Sequence, residues 1–141
     1  MSEDLDNGPG GIVANRDWQF IRQVPGQHAI RLSFTFNAAW ENMIWICNGN
    51  TRERLDTRGN YFRSREDFVT DIGRMELIGL VAYHKTVSPD AGDAGDHPWI
   101  QSPMKILFDN GVDATAGWTD GGDPDPNTDF RQAVCTVSVF D

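Results

Sequence analysis

The stretch Ile30-Arg31-Leu32-Ser33-Phe34-Thr35-Phe36 alternates without a break. Ile30, Leu32, Phe34 and Phe36 share one face of an extended chain, and Arg31, Ser33 and Thr35 share the other. Successive side chains of a strand point to opposite sides, so this segment reads as a half-buried strand. The same period recurs in both directions. Toward the N-terminus, Trp18 and Phe20 alternate with Gln19 and Ile21, and Val24-Pro25-Gly26-Gln27 reads as a turn. Toward the C-terminus, Asn37-Ala38-Ala39 breaks the pattern and residues 42–47 form a further strand ending at Asn48-Gly49-Asn50. Met75 to Lys85 is again strand-like. Met104, Ile106 and Phe108 mark a short strand, and Ala133, Cys135, Val137 and Val139 mark the last, with Thr136 and Ser138 facing away.

Residues 51–74 differ in kind, with six Arg and five acidic residues interleaved from Arg52 to Arg74. Ser64 followed by Asp67 predicts the cap of a short helix running through Phe68 and Ile72. Residues 1–15, with Asn7-Gly8-Pro9-Gly10-Gly11, read as a mobile lead-in, and 16–141 as a single domain. Six or seven short strands, at most one short helix and no βαβ rhythm predict an all-β protein. The expected fold is an antiparallel β-sandwich or jelly roll with one face of each sheet wet.

Composition narrows the function. The chain has 141 residues and a net charge of -9, from 21 acidic and 12 basic side chains. That balance argues against nucleic acid and anionic membranes as partners, since both call for a basic footprint. No window approaches the roughly 20 apolar residues of a spanning helix, so no membrane span is expected. The acidic start Met1-Ser2-Glu3-Asp4 has no apolar signal region, which predicts cytoplasmic synthesis with leaderless export left open. Cys47 and Cys135 each lie in an apolar strand. They read as two buried thiols, with a single bridge between core strands as the alternative.

The charge is concentrated. Between Thr86 and Asp129 lie nine acidic residues, all Asp, opposed only by Lys105. The first group, Asp90, Asp93 and Asp96, recurs every third residue between Gly and Ala and reads as solvated surface. In a simple meander its loop falls at the opposite end of strand 103–108 from the second. The second group is Asp120-Gly121-Gly122-Asp123-Pro124-Asp125-Pro126-Asn127-Thr128-Asp129. It sets oxygen donors at alternate positions 123, 125, 127 and 129. A hard cation such as calcium takes six to eight oxygens, and a tight loop can turn alternate side chains to one centre. Gly121 and Gly122 permit the turn, while Pro124 and Pro126 stiffen the spacing. Neither Cys nor His contributes, so calcium (Ca2+) is favoured over zinc. The expected ligands are Asp120, Asp123, Asp125, Asn127 and Asp129.

This loop, followed by an Ala-Val core strand, resembles the calcium loop of the small bacterial two-calcium fucose/mannose-binding lectins. In that family a loop of the form Glu-Asp-Gly-x-Asp-x-Asp-x-Asn-Asp precedes the final strand of a β-sandwich. The resemblance covers about 20 of the 141 residues. Asp123, Asp125 and Asn127 match the alternating ligands, and Asp129 stands for the last acid. The resemblance implies two adjacent calcium ions that accept sugar hydroxyls directly. It also implies a subunit arrangement in which a neighbour's terminal carboxylate completes the site. Here Thr128 is inserted before the final Asp, Thr119 or Asp120 stands where Glu is expected, and the chain ends Phe140-Asp141 rather than in Gly.

The resulting expectation is a calcium-dependent carbohydrate-binding, lectin-like module without enzymatic activity, assembled as a homo-oligomer. Trp118, Asp123 and Asp125 are the expected sugar contacts, with the Trp118 indole as a flat platform for a sugar ring and a packed anchor of the loop as its alternative role. Trp40 and Trp45 are read as core, and His28 and His84 as structural. The alternative is a structural or assembly subunit whose calcium only stiffens a loop, with the Arg-rich stretch 52–74 facing a neighbour's acidic loops. No Ser-His-Asp arrangement, His-based metal site or phosphate loop points to catalysis.

Overall fold

The computed structural model describes residues 20–23, 29–48, 53–60, 68–71, 77–110, 113–121 and 128–140. The described residues form ten strands and one single-turn 3-10 helix, Ala94–Asp96. The strands are β1 (Phe20–Gln23), β2 (Ala29–Phe36), β3 (Asn42–Asn48), β4 (Arg54–Gly59), β5 (Phe68–Asp71), β6 (Leu77–His84), β7 (Ile100–Gln101), β8 (Met104–Asp109), β9 (Asp113–Trp118) and β10 (Ala133–Phe140). They make two five-stranded antiparallel sheets. One runs β1-β6-β3-β4 with β7 added to β6, and the other runs β5-β2-β10-β9-β8. The all-β antiparallel sandwich is the fold of this chain.

The alternation that begins at Ile30 is what joins the sheets. Ile30, Leu32 and Phe34 meet Ile44, Ile46, Ile78, Leu80 and Ala82 from the facing sheet, with Ala114, Ala116, Trp118, Ala133, Cys135 and Val137 completing the core. β2 and β10 pair over their whole length, from Ala133 opposite Phe36 to Phe140 opposite Ala29. Burial of a large apolar side chain is worth about 1.5–3 kcal/mol, and this register places Ile30, Leu32, Phe34, Ala133, Cys135 and Val137 together in that layer.

The two central strands of the first sheet, β3 and β6, are buried on both faces. Met43, Trp45, Cys47, Val81 and Tyr83 form a second apolar cluster on its outer side, with Trp99 packed against it. The Trp45 and Tyr83 rings meet edge to face at 5.2 Å, and the Arg54 guanidinium lies 5.5 Å from the Trp45 ring centre. The expected wet outer face is therefore covered at β3 and β6, because β3 is apolar at every position from Met43 to Cys47 rather than at alternate ones. Burial also pushes the Tyr83 hydroxyl to a higher pKa. Cys47 belongs to the outer cluster and Cys135 to the sandwich core. The two thiols are buried on opposite sides of the first sheet and are not bridged.

The helix expected through Phe68 and Ile72 is not formed at Phe68. Phe68–Asp71 is strand β5, paired with Leu32 through Ala29 along the open edge of β2. β-Branched Val69 and Thr70 suit that extended pairing, while Ser64, Asp67 and Ile72 lie outside the described residues. So do the 1–15 lead-in and the turn at 24–27. β8 also departs from its expected alternation. Its pairing with β9 shifts between Ile106 and Phe108, and Phe108 is 52% exposed. A bulge on an edge strand turns side chains away from the face the sequence assigns them.

Candidate functional site

β9 and β10 form a hairpin whose mouth is closed at Trp118 and Ala133. The Gln132 N–H donates to the Trp118 carbonyl at 3.1 Å, so the acidic segment 120–129 leaves and re-enters the sheet at one place. Trp118 also pairs with Met104 on β8, and the Thr119 N–H donates to the Pro103 carbonyl at 3.1 Å. The segment entering β8 and the segment leaving β9 therefore share one end of the sandwich. Expectation had put the two acidic loops at opposite ends. Strand β9, whose small residues carry no clear alternation, reverses the chain once more and brings them together.

Beneath this end lies an unusual layer. Among the described residues the buried polar or charged side chains are Glu41, Asn42, His84, Lys85, Ser102 and Thr119, and all six cluster here. Asn42 and His84 are cross-strand partners on β3 and β6. His84 Nδ1 is 2.7 Å from Ser102 Oγ. Burial lowers the His84 pKa, with the Asp120 carboxylate opposing, so the imidazole is held neutral. Burial likewise raises the Glu41 pKa against the pull of Lys85. Lys85 Nζ lies 3.9 Å from Glu41 Oε1, donates to the Ala94 carbonyl at 2.9 Å and sits 4.7 Å from the Trp99 ring centre. One buried cation thereby ties the 88–96 segment to the body of the sandwich.

Of the expected ligands, the two at the ends of the loop are described. Asp120 Oδ2 accepts a hydrogen bond from Asn42 Nδ2 at 2.9 Å. Asp129 Oδ1 accepts from the Arg131 N–H and from Gln132 Nε2, each at 3.3 Å. Asp123, Asp125 and Asn127 lie outside the described residues. Among the described residues no three of His, Cys, Asp and Glu group as a metal site. The donor set nonetheless suits a hard cation, because the loop offers oxygen only. Beside it, Asn42 Oδ1 and Gln132 Oε1 are buried carbonyl oxygens with no hydrogen-bond partner among the described residues.

The tryptophans exchange roles. Trp118 is completely buried in the sandwich core, so it anchors the mouth of the hairpin and offers no platform to a sugar. The reason is its register: it stands between Ala133 and Met104 on the inward face. Trp40, expected in the core, is 38% exposed. Its carbonyl accepts from Asn42 Nδ2 at 3.0 Å and from Asn60 Nδ2 at 2.8 Å, which sets it one hydrogen-bonded residue away from Asp120. The available signal was its place in the sequence, after the break Asn37-Ala38-Ala39 and outside any alternating run.

No protein family and none of the curated proteins matches the chain on sequence. Solved structures match it by shape. A Chromobacterium violaceum lectin, CV2L, solved in complex with alpha-methyl-fucoside, superposes with a TM-score of 0.57 at 14% identity, over 86% of this chain and 95% of that one. The C-terminal domain of the BC2L-C lectin from Burkholderia cenocepacia gives 0.55 at 12% identity, over 86% and 94%. A high-affinity mannose-binding lectin of Ralstonia solanacearum gives 0.57 at 13% identity, over 89% and 98%. The chain thus has the β-sandwich fold of these bacterial lectins along nearly their whole length.

Proposed function

We propose that this protein is a calcium-dependent carbohydrate-binding module and that the sugar is taken at the end of the sandwich where the two acidic segments meet. The observation that carries the reading is the anchoring of the 120–129 loop. Its outer aspartates are hydrogen-bonded to Asn42 and Gln132, over a buried polar layer. The fold shared with lectins, one of them solved with a fucoside and another described as mannose-binding, supports the ligand class.

In this reading Asp120, Asp123, Asp125, Asn127 and Asp129 hold the cation. Bound there, calcium supplies coordination positions that vicinal sugar hydroxyls fill in place of water. The chain's own part is to orient the ligand. Carboxylate oxygens at the rim accept hydrogen bonds from hydroxyls, and the exposed Trp40, whose carbonyl shares the Asn42 amide with Asp120, offers an apolar surface to a sugar ring. No bond is made or broken, so the activity is binding without catalysis. Self-association belongs to the same reading, supported by the exposed apolar residues Ile106 and Phe108 on the edge strand β8.

A glycan array read in calcium buffer and again in chelator tests the proposal. Calcium-dependent signals for particular sugars support it. An array dark in both buffers, with large concentration-dependent assemblies in solution, favours the structural-subunit alternative. The metal is tested by melting: at a hundredfold excess over its dissociation constant a bound ion stabilises the fold by about 2.7 kcal/mol. An unchanged midpoint at millimolar calcium ends the metal reading, and Asp125→Ala should abolish any shift.

A further inference from the structure

Two side-chain amides grip the two outermost aspartates of the acidic loop, one at each foot. At the first foot Asn42 Nδ2 donates to Asp120 Oδ2 at 2.9 Å and to the Trp40 carbonyl at 3.0 Å. At the second, Gln132 Nε2 donates to Asp129 Oδ1 at 3.3 Å. Neither amide can be turned over. Reversed, its oxygen would face a carboxylate and no donor would remain between them.

Held in this sense, each amide strands its own carbonyl oxygen. Asn42 Oδ1 and Gln132 Oε1 are two of the three buried side-chain polar atoms without a hydrogen-bond partner among the described residues, the third being Arg54 Nε. A buried acceptor left without a donor is a standing cost to the fold, and an apolar side chain at either place would avoid it. The same cost recurs at both feet of one loop, in residues 90 positions apart in the sequence (132 minus 42). Stability does not account for that pairing, whereas the orientation of the two carboxylates does.

We infer that Asn42 and Gln132 are positioning residues whose amide donors fix the Asp120 and Asp129 carboxylates before any ligand arrives. The inference rests on the calcium-and-sugar reading for its purpose. A loop whose end ligands are already oriented loses less freedom on binding, which raises affinity without a new contact to the ligand. Hydrogen-bond partners behind metal ligands commonly change metal affinity by about 10–100-fold when removed.

The test uses the full chain with Asn42→Leu, Gln132→Leu and the double substitution. Calcium affinity is measured by calorimetry, alongside the melting temperature of the calcium-free protein. Each single substitution is expected to weaken calcium by about tenfold or more, the double by more than either. The calcium-free melting temperature should hold or rise, because each change also removes a stranded oxygen. A lower calcium-free melting temperature with unchanged calcium affinity would mean a merely structural role and would overturn the inference.

If the wild-type protein binds no calcium, the proposed function fails while the clamp remains open to test. In the calcium-free wild type the side-chain amide protons of Asn42 and Gln132 should exchange slowly with solvent. Asp120→Ala should speed exchange at Asn42 alone, and Asp129→Ala at Gln132 alone. Exchange rates unmoved by those substitutions would overturn the inference as well.

Discussion

The Phe130 carbonyl lies so close over Gly117 that a Cβ on that glycine would collide with the oxygen, and would stand 2.8 Å from Leu107 Cδ1. Gly117 sits in β9 between Lys105 of β8 and Val134 of β10. The chain leaving the acidic loop therefore crosses the outer surface of the sheet at the one place where a missing side chain lets it approach. Gly117→Ala is expected to destabilise the protein by at least about 1–3 kcal/mol, the usual cost of overpacking, because the obstructing atom belongs to the backbone. Chemical denaturation measures it. A midpoint within error of wild type would mean the 128–131 segment does not hold this position.

Phe130 is also the one described non-glycine residue with positive φ, at 53°, and it is buried. A left-handed backbone is unfavourable by about 1–2 kcal/mol for an ordinary L-residue and costs glycine almost nothing. Two substitutions separate backbone strain from side-chain packing. Phe130→Ala loses the packing and keeps the strain, whereas Phe130→Gly loses the same packing and relieves the strain. The glycine variant should be the more stable of the two by about 1 kcal/mol, the reverse of the order expected elsewhere in a strand or loop. The opposite ranking in denaturant would show that the left-handed turn is not held in solution.

Trp40 and Trp118 should separate in function as they do in exposure. Trp118→Ala removes a fully buried indole from the core and should lower stability by about 3–5 kcal/mol, with or without calcium. Trp40→Ala should leave melting within about 0.5 kcal/mol, as surface substitutions do, while weakening glycan binding and sparing the calcium shift. Wild-type sugar affinity in a Trp40→Ala protein would remove the indole from the binding surface.

How much of this was legible in the sequence depends on what each strand packs against. β2 and β10 bury one face against large partners and so alternate large apolar with polar residues. β9 is hidden because it lies between two strands and is built of small residues on both faces, with Ala114 and Ala116 in the core and Gly117 beneath Phe130 and Leu107. Small residues carry a faint hydropathy signal. β4 is hidden for a different reason, since it is a charged edge strand, with Arg58 and Asp56 paired at 2.6 Å and Arg54 donating to Thr57. Missing β9 put the acidic loops at opposite ends. The 120–129 loop itself was readable from local spacing. Its support from Asn42, 78 residues away from Asp120, is a product of tertiary folding that no local pattern carries.

His84 and Glu41, neighbours in the buried polar layer, should impose opposite pH dependences on stability. The His84 pKa is lowered from 6.5, chiefly by burial. Below about pH 6.5 the unfolded chain takes up a proton that the folded chain refuses, so this contribution is intact above 6.5 and is lost as pH falls toward the folded value. Glu41 is raised from 4.5, again chiefly by burial. Its protonated form suits the fold, so its contribution is present below 4.5 and is lost as pH rises through the raised value. Neutral replacements isolate each slope. The stability difference between wild type and His84→Asn should grow with pH up to about 6.5 and then level off, since both states are neutral above it. The difference between wild type and Glu41→Gln should shrink as pH climbs from 4.5 and then level off. Denaturant unfolding from pH 4 to 8 reads both. A flat His84 difference across that range would mean the imidazole is solvated, and with it the polar layer beneath the acidic loop.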